Sequence, residues 1–383
     1  LRPVKEALLL DSEARRIFQG IGKETFKEGV VFRQLDLANT LSKLRVGGAP
    51  SFYSGEFAKM LTENVNLIGG SLSLADLRTY QPRWVDTVSM NIGTSFWKRD
   101  KAHFVPPPAA AGIVQAQIIG MLDRQQKRFS RTPNSMLYHR LAETALIAYA
   151  SRSHWMRGDY SSIYPIKELV SDAFFDSLNS NYSDRKHKLI SSFHPSPTPQ
   201  PENPSATSFV AIDRYGMAVS CAFTMNKSFG IGRVAPHTGI MIAATPEAIG
   251  RGSLSLGPMM IVNEFSDQFI LAASASGGVA AATAVSSVVG HAYLNAKSLR
   301  EAIVAPRIHH GGVPDVTYYE SSLDPRVVSY LVDKDHKVAE TLGIGLVNIA
   351  FCRGGLPRAP ESCSVQNDPR GFGLAINALA DED

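Results

Sequence analysis

Cysteine is scarce in this chain, with three in 383 residues, so a fold held by several disulfides is excluded. Charge of one sign is scarce too. The net charge is +4, and no basic tract is interleaved with aromatics, which disfavours nucleic-acid binding. No apolar run is long enough to span a membrane; the best candidate, residues 270–294, is interrupted by serine, glycine and histidine. No His/Glu or Cys pair converges with another at metal-ligand spacing, and neither a metal nor an organic cofactor is implied. His139 and His154 stand isolated and read as surface or packing residues. The chain opens mid-pattern at Leu1, without an initiator methionine, so the missing signal peptide is uninformative. What remains is an ordinary globular composition, 44% apolar and 19% charged, long enough for two domains or one large layered core.

The densest signal lies between residues 194 and 232. Five prolines alternate with polar residues over 194–206, which reads as a flexible loop. Residues 207–213 then alternate as a strand, Arg214-Tyr215-Gly216 reads as a turn, and residues 217–225 are strand-like again. Two strands joined this tightly predict an antiparallel hairpin. Ser205, Thr207, Ser208 and Thr224 cluster at its open end, and Asn226 follows. Cys221, inside the second strand, reads as a small buried hydrophobe.

Elsewhere the spacing predicts helices over residues 1–20, 32–44, 112–124, 133–151 and 166–178, with Leu137, Leu141, Ala145 and Ala148 on one face of the fourth. Ser73 is the expected N-cap of a short helix through Asp76. Pro106, Pro107 and Pro108 should end a strand at Phe104-Val105 and form the wall of a cleft. Residues 271–278 read as a strand ending in Ser276-Gly277-Gly278, followed by a helix of small residues. Paired glycines at such a turn either serve close packing or leave backbone N–H groups at a helix start, suited to an oxyanion. Cys352 and Cys363 flank a Gly/Pro-rich loop whose ends can approach to disulfide range, a pairing suited to an oxidising compartment; two separate thiols remain the alternative.

A mobile loop feeding a hydroxyl-bearing strand resembles the self-cleaving amidohydrolases with an N-terminal nucleophile, and the chain looks most like the gamma-glutamyltransferase family. The matching residues are Phe52-Tyr53 with Gly55-Glu56, Gly69-Gly70, Asp76-Leu77 with Tyr80, and the triple proline. Then come Asp213 and Gly216, Thr224-Met225-Asn226, Phe229-Gly230, and Arg307, His309, His310 and Asp315. The last four look structural rather than catalytic. The likeness extends over residues 18–373.

That resemblance implies an α+β fold, a four-layer αββα sandwich of the N-terminal-nucleophile hydrolase type. Residues 1–205 would be the later part of the large-subunit region, ending in the Pro-rich cleavage loop, and 206–383 the small-subunit region with the catalytic hairpin. The two halves of one precursor would be each other's partners. A family member also has a substantial segment before Leu1, carrying the Arg that grips the substrate carboxylate. The implied chemistry is acyl transfer or amide hydrolysis on a small γ-glutamyl-type or other amide. A new N-terminal Thr would attack, its own α-amine acting as base. Thr224 would support the nucleophile, Asn226 would orient substrate or amine, and Gly277 and Gly278 would form the oxyanion hole. Ser255 stands where a substrate-binding serine pair is expected. The implied location is periplasmic or secreted.

Three departures qualify this. Aligned through Phe209, Asp213 and Gly216, the nucleophilic Thr falls on Ala206, which has no hydroxyl, and the second Thr on Thr207. Ala206 reflects an engineered change, a natural loss, or a nucleophile moved to Thr207; but one step along a strand turns the side chain to the other face. A processing-dead Ala206 is the favoured reading, with Thr207 the best surviving hydroxyl. Where the family has Ser-Ser-Gly-Gly after the prolines, this chain has Ala109-Ala110-Ala111-Gly112. Where a polar, acidic run holds the substrate ammonium, it has Ala243-Ala244-Thr245-Pro246-Glu247-Ala248. The expectation is an uncleaved relative of the acyltransferases. The alternatives are a non-catalytic binding or scaffold protein and an amidase for non-glutamyl amides.

Overall fold

The computed structural model describes residues 4–19, 31–93, 100–128, 134–188, 206–245 and 254–378. They fall into two compact units, one made of Leu1–Val85 with Met225–Thr245, the other of Asp86–Thr224 with Pro246–Asp383. The Pro-rich run before Ala206 and the acid Glu247 lie outside the described residues.

The larger unit is built on a six-stranded sheet. Its order is Val88–Ile92, Asp100–Phe104, Met259–Asn263, Gln268–Ser276, Leu346–Leu356 and Cys363–Gln366, with every neighbour antiparallel. The central strand Gln268–Ser276 is buried almost throughout because both faces of the sheet are covered. Side chains alternate along a strand, and the alternation is visible here. Leu271, Ala273, Ala275, Val347 and Ile349 join the main core under the helices Ala111–Arg128, Asn134–Trp155 and Ala281–Val289. Ala272, Ala350 and Cys352 pack on Val210, Ile212 and Ala218 of the hairpin. Helix layer, sheet and hairpin thus stack in succession, and the α+β expectation holds. A smaller sheet, Val338–Thr341, Thr317–Glu320 and Ile308–His310, stands beside it.

The hairpin is formed by Ala206–Ile212 and Ala218–Thr224, as the sequence pattern indicates. Asp213 makes its turn, its carboxylate accepting the backbone N–H groups of Tyr215 and Met217, each at 2.9 Å. Cys221 is half-buried rather than buried, because a two-stranded layer shields one of its faces only. Cys352 and Cys363 are joined by a disulfide between directly paired strand positions. Asp100–Phe104 ends where the prolines begin.

In the smaller unit the helix expected over 1–20 is two, Lys5–Leu8 and Ser12–Phe18; Asp11 caps the second, accepting from Ala14 N at 2.8 Å. The helix opening near Phe32 runs on through Leu35–Ser54, with a kink around Gly48 and Pro50. Ser73 caps Leu74–Thr79 in a reciprocal capping box with Asp76, as expected. Helix Glu56–Leu67 buries Phe57, Leu61 and Val65 against Ala235. In the larger unit, Ser171 breaks the expected 166–178 helix by capping Asp172–Asn179.

Candidate functional site

Ala206 opens the first hairpin strand and lies opposite Thr224 in the register. Directly opposed residues bring their Cβ atoms to roughly 4.5–5.5 Å, so a side chain at 206 meets the Thr224 side chain first. Ala206, Ser208, Val210 and Ile212 turn towards the sheet and are half-buried, while Thr207, Phe209 and Ala211 lie outward. Thr207 therefore stands on the face away from Thr224's partner position, with Phe209 and Phe223 stacked beyond it.

Beneath the strand runs a cleft of about 420 Å³, lined by Ala206, Thr207, Ser208, Ser276, Asn348 and Phe372 among others. Asn348 Nδ2 donates to both Ser208 O and Ser208 Oγ, at 2.8 and 2.9 Å, and so ties the hairpin to the sheet. Neither Asn348 nor Phe372 was a sequence-level candidate. Nothing in their local pattern distinguishes them; only the pairing of residues 140 apart makes Asn348 part of this cleft.

Ser276 ends its strand against Leu346 and leads into Gly277 and Gly278. Gly277 has φ 142° and Gly278 φ 57°, a backbone path that favours glycine at both places. A short helical turn over Gly278–Ala280 continues into the helix Ala281–Val289. Tyr149 holds the turn, its hydroxyl donating to Val279 O. Complete burial pushes this phenol up to about 12, which keeps it a donor. Behind the glycines, Gly345 O accepts from the buried Arg307 at 2.9 Å, and Asp368 Oδ2 pairs with the same guanidinium at 2.6 Å. Arg307 thus acts through the turn it braces, in keeping with a structural role for its motif. His309, also in that motif, meets Thr283 Oγ1 at 2.6 Å, and burial pushes it down to about 3.

The remaining candidates are Ser255 and Asn226. Ser255 is buried just after Leu254 in the larger unit. Asn226 belongs to the smaller unit, where its Nδ2 donates to Ala244 O at 2.7 Å, with φ 64°. Ala244 is buried there, while Ala243 and Thr245 are exposed. A larger cleft of about 670 Å³ sits at the opposite end of the central strands, by Ile270 and Phe351, and contains none of the candidate residues.

His139 requires a correction. It is fully buried, not isolated, and its Nδ1 lies 2.8 Å from His336 Nε2. Glu143, His187 and His310, all buried, and the half-buried Asp315 complete the group around them. The available signal was His139 and Glu143 four apart on one helix, which places both on one face. His154 is exposed.

A hairpin stacked on a buried sheet, with a Gly-Gly turn at the end of the central strand, matches the α+β fold expected of the N-terminal-nucleophile type. The structure superposes on cephalosporin acylase from Bacillus halodurans with a TM-score of 0.74 at 19% identity, covering 96% of this chain and 67% of that one. The chain belongs to the gamma-glutamyltranspeptidase family, whose profile matches residues 2–248 and 243–377. It is 26% identical to the glutathione hydrolase proenzyme of Escherichia coli over 96% of this chain. It is likewise 26% identical to scoloptoxin SSD14 of Scolopendra dehaani over 93% of this chain. The chain spans 66% and 65% of those two relatives' lengths. Among the described residues, no helix is long and apolar enough to cross a membrane.

Proposed function

We propose that this chain is a gamma-glutamyltranspeptidase relative that carries the family's acyl-transfer framework and stays uncleaved, because residue 206 lacks the hydroxyl that starts self-processing. The observation that carries this reading is the place of Ala206: it opens the hairpin strand opposite Thr224, above the cleft that leads to Ser276. A hydroxyl at that point would have Thr224 as its neighbour. The Gly277-Gly278 turn would then supply backbone N–H groups for a developing oxyanion. In this reading residues 1–205 and 206–383 are the two halves of one precursor. The Cys352–Cys363 disulfide fits an oxidising compartment, periplasmic or extracellular.

Cleavage would begin with attack of the residue-206 side chain on the carbonyl of Ser205. An N→O acyl shift gives an ester that water then hydrolyses. Alanine cannot enter that sequence. Intact-mass measurement on the purified chain tests this: a single polypeptide is expected, and two pieces divided at Ala206–Thr207 would promote Thr207 to nucleophile. Restoring the hydroxyl with Ala206→Thr in the full-length protein should permit cleavage, and a protein still whole after that change would favour a scaffold role.

A second reading, an amidase for acyl groups without an α-ammonium, is favoured by the 243–246 run, where apolar residues stand in place of the family's polar ones. Ala244 offers only its backbone carbonyl, and that is already engaged by Asn226.

A further inference from the structure

We propose that His139, His336 and Glu143 form a binding site for one divalent transition-metal ion of the zinc type. The helix Asn134–Trp155 places His139 and Glu143 one turn apart on one face. His336 arrives just after the helix Pro325–Asp333, 197 residues from His139. All three are buried, at 0%, 4% and 1% exposure for His139, His336 and Glu143. His139 Nδ1 and His336 Nε2 are 2.8 Å apart, His336 Nε2 and Glu143 Oε1 3.7 Å, and the three donor atoms all lie within 4.8 Å of one another. Zinc–ligand bonds of about 2.0–2.2 Å set tetrahedral donors roughly 3.3–3.5 Å apart. These two separations bracket that value, so small side-chain rotations bring the three donors to coordinating distance and fill three of the four tetrahedral positions.

The surroundings orient these donors. Ser183 O is a carbonyl and can only accept, so its 2.8 Å bond with His139 Nε2 puts the ring proton there and turns the Nδ1 lone pair inward. Thr317 Oγ1 lies 3.1 Å from His336 Nδ1 and can take that ring's proton, which frees Nε2 for a metal. Glu143 Oε1 accepts from His187 Nδ1 at 2.6 Å, and His187 is held from behind by Asp315 Oδ1 at 2.9 Å. Histidine ligands backed by acceptors, with a ligating carboxylate itself hydrogen-bonded, form the outer shell that metal sites require. Two imidazoles and a carboxylate without sulfur suit zinc and its first-row neighbours rather than magnesium or calcium.

Burial pushes the Glu143 carboxyl upward while His187 opposes it, and a bound cation would favour the anion further. None of the three residues lines either cleft described above. The ion would therefore tie the long helix to the chain around His336, a structural role independent of processing at residue 206.

The test uses the full chain, stripped with a chelator and titrated with zinc chloride by calorimetry, followed by X-ray absorption of the loaded protein. One zinc per chain is expected, with a nitrogen/oxygen shell that includes imidazole and contains no sulfur. His139→Asn and His336→Asn should abolish binding, and Thr317→Val should weaken it about 10–100-fold. No zinc uptake by the wild type, or uptake unchanged in both asparagine variants, overturns the proposal and leaves a cluster held by protons alone. If the asparagine variants do not fold, wild-type uptake, the absorption shell and the Thr317→Val titration still decide. A shell without imidazole, or a Thr317→Val affinity equal to the wild type, overturns it equally.

Discussion

Gly277 and Gly345 are packed backbone against backbone: a Cβ built on Gly277 would lie 2.6 Å from the Gly345 Cα. The turn that ends the central strand thus depends on hydrogen at both Cα positions. Gly277→Ala must also hold φ 142°, a conformation that L side chains rarely adopt. The expected cost is about 2–4 kcal/mol, combining backbone strain with the steric shift. Gly343→Ala is the control, since its added methyl meets open space; it should change stability by less than about 0.5 kcal/mol. Urea unfolding of the two variants checks this, and equal midpoints would contradict the packing argument.

Arg307 should be the most sensitive charged residue near that turn. Its fully buried guanidinium donates to Ile303 O, Ile344 O and Gly345 O at 3.2, 3.1 and 2.9 Å and pairs with Asp368. Arg307→Met leaves these acceptors and a buried carboxylate short of a partner, at an expected cost of roughly 3–5 kcal/mol. Arg307→Lys should recover only part of that loss, because one ammonium cannot reproduce the planar fork. Denaturant unfolding reads both; a methionine variant within about 1 kcal/mol of wild type would show that the bridge carries little.

The Cys352–Cys363 disulfide closes a loop with a sequence separation of 11. Cross-linking a loop of that size restricts the unfolded chain by about 2–3 kcal/mol. The double variant Cys352→Ala/Cys363→Ala should lose that amount, and wild type under reducing conditions should match it. Unfolding midpoints with and without reductant measure the effect directly.

Substrate preference is the last expected outcome. A γ-glutamyl group carries an α-ammonium that needs a partner once water is excluded, and the 243–248 run offers one acid, Glu247, where the family supplies a polar, acidic run. A missing charge partner typically costs roughly 3–5 kcal/mol, a factor of hundreds or more. An Ala206→Thr protein should therefore turn over γ-glutamyl-p-nitroanilide slowly and prefer amides with an uncharged acyl end. Steady-state kinetics on both decides it, and efficient γ-glutamyl turnover would restore an ordinary transpeptidase specificity.

Local rules account for what was legible. The hairpin, its Asp213 turn, the Ser73 cap and the end of Asp100–Phe104 at the prolines all depend on residues within a few positions of one another. Helix ends were less so. Asp11 and Ser171 interrupt apolar patterns that read as continuous, because a side-chain cap satisfies backbone N–H groups and lets a new helix start there. His139 was misread for a different reason: its partners His336 and Ser183 come from elsewhere in the chain.

By itself, then, the sequence determined the hairpin, the Gly-Gly turn and the family, since each is a matter of residue identity or short-range periodicity. Tertiary structure alone decided that Asn348 clasps Ser208, that Gly277 needs Gly345 beside it, and that His187, His310, Asp315 and His336 gather around His139 and Glu143. Those contacts join residues tens to hundreds of positions apart. Only the stacking of sheet, hairpin and helices brings them together, and no local pattern encodes it.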